Sequence, residues 1–170
     1  FPADWAATQY NLGIAYSNLP TGDRGENLQR AIECYQAALR VRTEAAFPRE
    51  WAATQYNLGI AYRNLPTGDR SENLQRAIDC YQAAVRVYTE EAFPADWART
   101  QNNLGTAHSA LPTGDRGENL QRAIECYQAA LRVRTEAAFP HDWATTQNNL
   151  GTAYQDRPTG DRGDNLQRAI

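Results

Sequence analysis

The stretch that decides the fold is Trp5–Tyr16, with the sequence Trp-Ala-Ala-Thr-Gln-Tyr-Asn-Leu-Gly-Ile-Ala-Tyr. It returns with few changes at Trp51, Trp97 and Trp143, so each copy begins 46 residues after the one before. Self-similarity at a fixed period of this length is the signature of a repeat array, in which each repeat packs on its neighbours. We therefore divide the chain into a single array of three complete repeats and an incomplete fourth, with the boundaries 1–46, 47–92, 93–138 and 139–170.

Each repeat carries two helical patterns separated by a turn. In the first pattern, the large apolar residues from Trp5 to Leu19 recur at the spacing of an amphipathic helix. Residues 20–22, Pro-Thr-Gly, then predict a turn. Asp23 followed by Glu26 three positions later is the pattern of a capping box, which indicates that a second helix begins here.

The second helix is expected to extend almost to Phe47-Pro48, because the residue ahead of a proline disfavours helical geometry. That gives a helix of roughly 22 residues after a first helix of roughly 16. The fourth repeat carries a weaker capping pattern at Asp161 and Asp164. No stretch alternates with the period of a strand, so the predicted fold class is all-α, built of antiparallel helix pairs.

Charge and composition exclude several kinds of partner. A net charge of −3 and a sequence pI near 5.4 lack the basic footprint that nucleic acid or an anionic membrane requires. No apolar run is long enough to predict a transmembrane helix. The cysteines Cys34, Cys80 and Cys126 occupy one position of successive repeats, too far apart for disulfides, which predicts free thiols and a cytoplasmic protein.

The sequence shows no constellation for catalysis. Its two histidines, His108 and His141, lie near no cysteine or acid in a nucleophile–base or zinc-binding spacing. The glycines Gly22 and Gly25 are not followed by the Lys and Ser or Thr of a phosphate-binding loop. We expect no enzymatic activity, no cofactor and no metal site, and we interpret His108 as a packing residue.

Leu12-Gly13-x-x-Tyr16, followed by Ala31, Tyr35 and Ala38, resembles the tetratricopeptide repeat (TPR). The resemblance implies a right-handed α-solenoid that binds a protein or peptide segment in a concave groove. That family has a period of about 34 residues, so this chain would be a long-period variant. The Phe-Pro-x-x-Trp-Ala lattice resembles long-period arrays of bacterial and fungal signalling proteins, which lie next to caspase-like (CHAT) domains.

In the TPR family the first helix of each repeat lines the groove. Counting from Leu12-Gly13 carries the groove positions over to the first repeat and its equivalents; in the first repeat they are Ala7, Tyr10, Asn11, Ile14, Ser17 and Asn18. The candidate partner-binding residues are Tyr10, Asn11, Ile14, Tyr56, Asn57, Ile60, Arg63, Arg99, Asn102, Asn103, Thr106, Asn148, Asn149 and Thr152.

Differences between the copies fall partly on these positions. Repeats one and three differ at five of 46 positions, and four of the five, such as Ala7/Arg99, belong to the groove set. Of the eight differences between repeats one and two, only Ser17/Arg63 does. The pattern favours a groove tuned to a ligand along its length, and drift at exposed positions is the alternative.

An asparagine recurs at the same groove position of every repeat, at Asn11, Asn57, Asn103 and Asn149. An Asn amide bonds both the N–H and the C=O of a peptide, so this ladder suits gripping an extended or helical segment. Holding the adjacent helix in register is the alternative. All 17 basic residues are Arg, so a Lys-dependent clamp for C-terminal carboxylates is absent, although Arg63 and Arg99 can attract an acidic group.

Two functions follow from these patterns. The first is a scaffold that binds a protein or peptide, as an interaction or sensor module of a larger signalling or effector protein. The second is a structural spacer or a self-assembling array without a dedicated ligand, in which chains associate head to tail through their truncated ends.

Overall fold

The computed structural model describes residues 1–158. Within them the chain forms seven helices and no strand, which confirms the all-α class and the helix pairs of an α-solenoid. The first helices of the repeats are α1 (Pro2–Asn18), α3 (Pro48–Asn64), α5 (Pro94–Ala110) and α7 (Pro140–Gln155). The second helices are α2 (Arg24–Leu39), α4 (Arg70–Val85) and α6 (Arg116–Leu131). No described helix is long and apolar enough to cross a membrane.

The predicted capping boxes start the three second helices. The carboxylate of Asp23 accepts a hydrogen bond from the Glu26 N–H at 2.9 Å, and Asp69 and Asp115 cap α4 and α6 in the same way. Gly22, in the turn before α2, has a φ of 82°, a left-handed conformation that favours glycine. The capping pattern at Asp161 lies outside the described residues.

The expectation that the second helix extends almost to Phe47-Pro48 is wrong. Helix α2 has 16 residues and ends at Leu39. The N–H groups of Arg40 and Val41 donate to carbonyls only three residues back, and that of Thr43 donates to the Val41 carbonyl two residues back. The Thr43 hydroxyl accepts from the Ala46 N–H at 3.2 Å, and the Phe47 N–H donates to the Thr43 carbonyl at 2.9 Å. Thr43 therefore starts a separate turn, because its side chain offers the backbone an alternative to the helix.

The chain divides into two compact units, Phe1–Tyr88 and Thr89–Ile170. In the first unit α2 packs against both α1 and α3, and in the second α6 packs against both α5 and α7. Tyr35 of α2 is almost completely buried and crosses α1 at Gly13, where a Cβ would lie 2.5 Å from Tyr35 Cε1. The close approach of the paired helices thus requires glycine at this position.

Candidate functional site

Tyr10 on α1 is held by its own repeat and by the next one. Its ring centroid lies 6.0 Å from that of Tyr35, and the guanidinium carbon of Arg42 lies 4.5 Å from the Tyr10 centroid. The amide of Asn57 on α3 donates to the Tyr10 hydroxyl at 2.8 Å. Tyr10 therefore links two neighbouring first helices while remaining half-buried at the surface.

Arg42 lies in the segment between α2 and α3 and is fixed from two sides. Its stacking on Tyr10 is a cation–π contact. Its Nη1 also donates to the hydroxyl oxygen of Thr54 at 3.1 Å, and that hydroxyl donates to the Glu50 carbonyl at 2.6 Å. Because Thr54 is fully buried, the Arg42 guanidinium is anchored in the joint between the first two repeats.

A concavity of about 190 Å³ opens between the first turns of α1 and α3. Small and apolar side chains make most of its wall, and one cation and one anion face it. It is lined by Ala3, Ala7, Val41, Arg42, Phe47 and Glu50. Such a surface accepts a single side chain of a partner rather than a whole small molecule, since ligand pockets are usually about 300–1,000 Å³.

The same concavity recurs in the second unit, also with a volume of about 190 Å³. It lies between the first turns of α5 and α7 and is lined by Ala95, Asp96, Arg99, Val133, Arg134, Phe139 and Asp142. Arg99 stands where the first unit has Ala7, and it pairs with Asp96 at 2.7 Å. Arg134 donates to Thr146 at 3.1 Å and lies 3.7 Å from a carboxylate oxygen of Asp142. One architecture thus carries one cation and one anion in the first unit and two cations and two anions in the second.

The predicted groove residues differ in how much surface they offer. Asn11, Arg99, Asn148 and Thr152 are exposed. Those that are half-buried are Tyr10, Ile14, Asn57, Ile60, Arg63, Asn103, Thr106 and Asn149. Tyr56 and Asn102 are buried, and the Asn102 side-chain oxygen accepts hydrogen bonds from Thr146 and Asn149. Only Arg99 of the whole set lines one of the two concavities, and partner binding by these residues stays a prediction.

Asn57 and Asn149 of the asparagine ladder bond between repeats. Asn57 donates to the hydroxyl of Tyr10, and Asn149 donates to the side-chain oxygen of Asn102 at 3.3 Å. In both cases the amide joins one first helix to the preceding one. For these two residues the structure favours the alternative interpretation, in which the ladder holds neighbouring helices in register.

Sequence reasoning missed the segment that forms the wall of each concavity. Arg42 and Arg134 were not among the candidates, because the family groove was carried over from first helices alone. The differences between repeats one and two carried a signal for this segment. Three of them, at Arg49, Glu50 and Tyr88, fall on repeat positions that line at least one of the two concavities. Three of the eight differences therefore lie at these concavity positions.

The cysteines are not set up as nucleophiles. Burial is the main cause that raises the pKa of Cys80 and of Cys126 to about 12, and it also raises the pKa of Cys34. Thiols of this kind stay protonated at neutral pH and react slowly. Within residues 1–158, no group of His, Cys, Asp and Glu side chains is arranged to hold a metal ion.

Comparison with known families matches three segments of the chain to the Sel1 repeat, at residues 6–40, 52–86 and 98–132. Together the segments make up more than half of the sequence. Sel1 repeats are TPR-like, so the predicted resemblance is confirmed at that level. The link to long-period arrays beside caspase-like domains stays a prediction.

Comparison with solved structures finds the crystal structure of BtubC (BKLC) from P. vanneervenii, with a TM-score of 0.73 and 22% sequence identity. The alignment covers 99% of this chain and 60% of that one. At this identity the similarity shows the fold alone, and it agrees with an α-solenoid. No curated protein matches the sequence.

Proposed function

The chain belongs to the Sel1 repeat family, whose TPR-like members generally serve as protein-interaction scaffolds, and we propose that it binds a protein or peptide segment along the first helices of its repeats. The Sel1 repeat is a non-enzymatic helical scaffold, in line with the expectation that the chain lacks catalytic activity. We further propose that the array is an interaction or sensor module of a larger signalling or effector protein. The three free cysteines support a cytoplasmic location.

The observation that carries this proposal is the pair of equivalent concavities with different linings. Ala7 in the first concavity is replaced by Arg99 at the equivalent place in the second. Such an exchange is expected of a binding surface, because each concavity then meets a different partner side chain, and drift at an exposed position is the competing explanation. At the exchanged position the first unit offers the methyl group of Ala7 to an apolar side chain, and the second offers the Arg99 guanidinium, paired with Asp96, to a polar one.

The alternative function, self-assembly without a dedicated ligand, is favoured by one surface. Trp5 and Leu12 on α1 and Leu19 directly after it are each more than 40% exposed, whereas the equivalent residues Trp51 and Leu58 on α3 are buried. An exposed apolar face of this kind is available to another repeat. Concentration-dependent sedimentation together with failure to select any peptide would support this alternative.

The proposal is tested by selecting binding peptides from a random phage-displayed library on the immobilised 170-residue protein. Affinities of the selected peptides are then measured by calorimetry for the wild type, Arg99→Ala and Arg40→Ala. Arg40 is an exposed arginine at the end of α2, away from both concavities, and is the matched control. We expect Arg99→Ala to weaken at least one class of peptide about tenfold, which corresponds to about 1.4 kcal/mol.

Arg40→Ala is expected to leave these affinities within about twofold of the wild type. Selected peptides that bind all three proteins equally, or lose affinity only with Arg40→Ala, would refute the groove. Tyr56→Ala is not a useful probe, because Tyr56 is buried against Tyr81, with ring centroids 6.0 Å apart, and its removal would destabilise the repeat.

A further inference from the structure

The hydroxyl of Tyr81 in the second repeat is buried and has no hydrogen-bond partner among the described residues. Its equivalents in the other two complete repeats are paired. The Tyr35 hydroxyl lies 3.4 Å from Ser17 Oγ, and the Tyr127 hydroxyl donates to Thr106 Oγ1 at 3.3 Å. The second repeat is therefore the exception in an otherwise regular arrangement.

Two substitutions on α3 remove the acceptors. Ile60 stands at the position of Thr106, and Arg63 stands at the position of Ser17. Isoleucine has no polar atom, and a guanidinium donates hydrogen bonds but accepts none. The side chains at these two positions thus leave the Tyr81 O–H without an oxygen to receive its proton.

The ring of Tyr81 is held against α3 close to these positions. A Cβ built on Gly59 would lie 2.7 Å from Tyr81 Cε1, so the ring crosses α3 where only glycine makes room. Burial raises the pKa of the Tyr81 phenol, and the positive charge of Arg63 acts in the opposite direction, which indicates that the guanidinium is nearby. The hydroxyl is protonated at neutral pH and available as a donor.

A buried donor without an acceptor costs about 1–3 kcal/mol, so each one in a native structure calls for an explanation, and pairing with a ligand is one. At this point the unused donor lies beside a cation on the first helix of a repeat. The chemical group that complements both is a carboxylate, which accepts a hydrogen bond through one oxygen and forms an ion pair with the guanidinium.

We propose that Arg63 and the Tyr81 hydroxyl form a subsite for a carboxylate of the bound peptide. The inference rests on the proposed function and names the chemistry that one position of the partner must carry. Because the hydroxyl oxygen is shielded from solvent in the free protein, entry of the carboxylate requires a neighbouring side chain to move. Side-chain and C-terminal carboxylates share this chemistry.

The first test compares Tyr81→Phe with the matched variant Tyr127→Phe in thermal unfolding of the 170-residue protein. Tyr127→Phe removes a hydroxyl that is hydrogen-bonded and leaves Thr106 with one partner fewer, so its melting temperature should fall. Tyr81→Phe removes a donor that has no partner, so its melting temperature should stay unchanged or rise. A fall as large as that of Tyr127→Phe would overturn the inference, because it would show that the Tyr81 hydroxyl is satisfied in the free protein.

The second test is an NMR titration that follows the Arg63 side-chain signal. The probes are acetyl-Gly-Glu-Gly-amide, its Gln counterpart, and acetyl-Gly-Gly-Gly with a free C-terminal carboxylate. We expect saturable shifts with a carboxylate probe, with a Kd on the order of 1 mM, and none with the Gln peptide. A response to only one of the two carboxylate probes identifies which kind of carboxylate the subsite takes.

Tyr81→Phe is expected to weaken carboxylate binding about tenfold, whereas Tyr127→Phe leaves it within about twofold. Equal shifts with the Glu and Gln peptides, or no effect of Tyr81→Phe, would overturn the subsite. The scaffold proposal fails separately. If the library peptides depend on Arg99 but not on Tyr81, the carboxylate subsite is refuted and the scaffold proposal stands. If the Arg63 signal shifts with a carboxylate probe but no selected peptide depends on Arg99, the scaffold proposal is refuted and the subsite stands.

Discussion

At the residue scale, His108 is the position where one repeat departs from the packing of the others. Tyr16, Tyr62 and Tyr154 occupy this place elsewhere, and the Tyr62 hydroxyl accepts from the Gln36 amide at 2.9 Å. His108 is buried, and its Nδ1 has no hydrogen-bond partner within the part of the chain that the structure describes. Burial first, and then the positive charge of Arg122, lower its pKa.

This lowered pKa predicts a loss of stability in weak acid. The unfolded chain binds a proton at His108 near the ordinary pKa of about 6.5, whereas the folded chain binds it only at a lower pH. The contribution of neutral His108 to the free energy of unfolding is therefore fully present above about pH 6.5. It declines as the pH falls toward the folded-state pKa, by up to about 1.4 kcal/mol per pH unit.

Urea unfolding of the wild type and of His108→Tyr, measured between pH 7.5 and pH 5.5, checks this expectation. His108→Tyr should flatten the decline, while His141→Tyr, at an exposed histidine, should leave it unchanged. The same decline in wild type and His108→Tyr would show that another group is responsible.

The burial of His108 was predictable from the sequence, because the repeat frame places it on a tyrosine. The role of Asn57 was not. Asn57 could bind the backbone of a peptide or hold neighbouring helices in register, and both roles require the same residue type at the same spacing. They are separated only by the hydrogen bond to Tyr10, which lies 47 residues away in the sequence.

At the scale of the elements, the starts of the helices were predictable from the sequence, but the end of the second helix of a repeat was not. Proline at the first position of α1 and Asp23 before α2 act through local backbone chemistry that is visible in a few residues. The end of α2 depends on competition between continuing the helix and the turn started by Thr43. Periodicity alone does not decide that competition, because the residues after Arg40 still carry a helical pattern.

The caps provide the prediction at this scale. Asp69→Ala removes the acceptor for the Glu72 N–H, which lies 2.8 Å from the Asp69 carboxylate, and should lower the unfolding free energy by about 1 kcal/mol. Asp69→Asn keeps a side-chain oxygen at the cap and should change stability by only a few tenths of a kcal/mol. Urea titrations followed by circular dichroism measure both. If the two variants lost the same amount, the carboxylate charge rather than the cap would be the stabilising feature.

At the scale of the whole molecule, the repeat family and the all-α class were accessible from the sequence because every copy repeats the same small-and-large pattern. The concavities were not accessible, since each combines two first helices with the segment between repeats. Residues 41–51 and 87–97 lie outside the Sel1 matches, yet Val41, Arg42, Phe47 and Glu50 form most of one concavity. The surface proposed to bind thus depends on residues that the family pattern leaves open.

A repeat array also makes the energy of a side chain depend on its neighbours rather than on its place in the motif. Leu12 and Leu58 hold the same position of adjacent repeats, but Leu12 is 41% exposed and Leu58 only 5%. Helix α3 carries Leu58 and packs on α2 of the preceding repeat. On and directly after α1, the large apolar side chains of Trp5 and Leu19 remain open to solvent along with Leu12.

Leu58→Ala should therefore lower the unfolding free energy by about 2–5 kcal/mol, the usual cost of truncating a buried leucine. Leu12→Ala should cost less than about 1 kcal/mol, because most of the removed surface is already in water. Urea unfolding at low protein concentration measures the pair under identical conditions. Equal losses would mean that the α1 face is covered in solution, and repeating the measurement across a range of concentrations would show whether a second copy of the chain covers it.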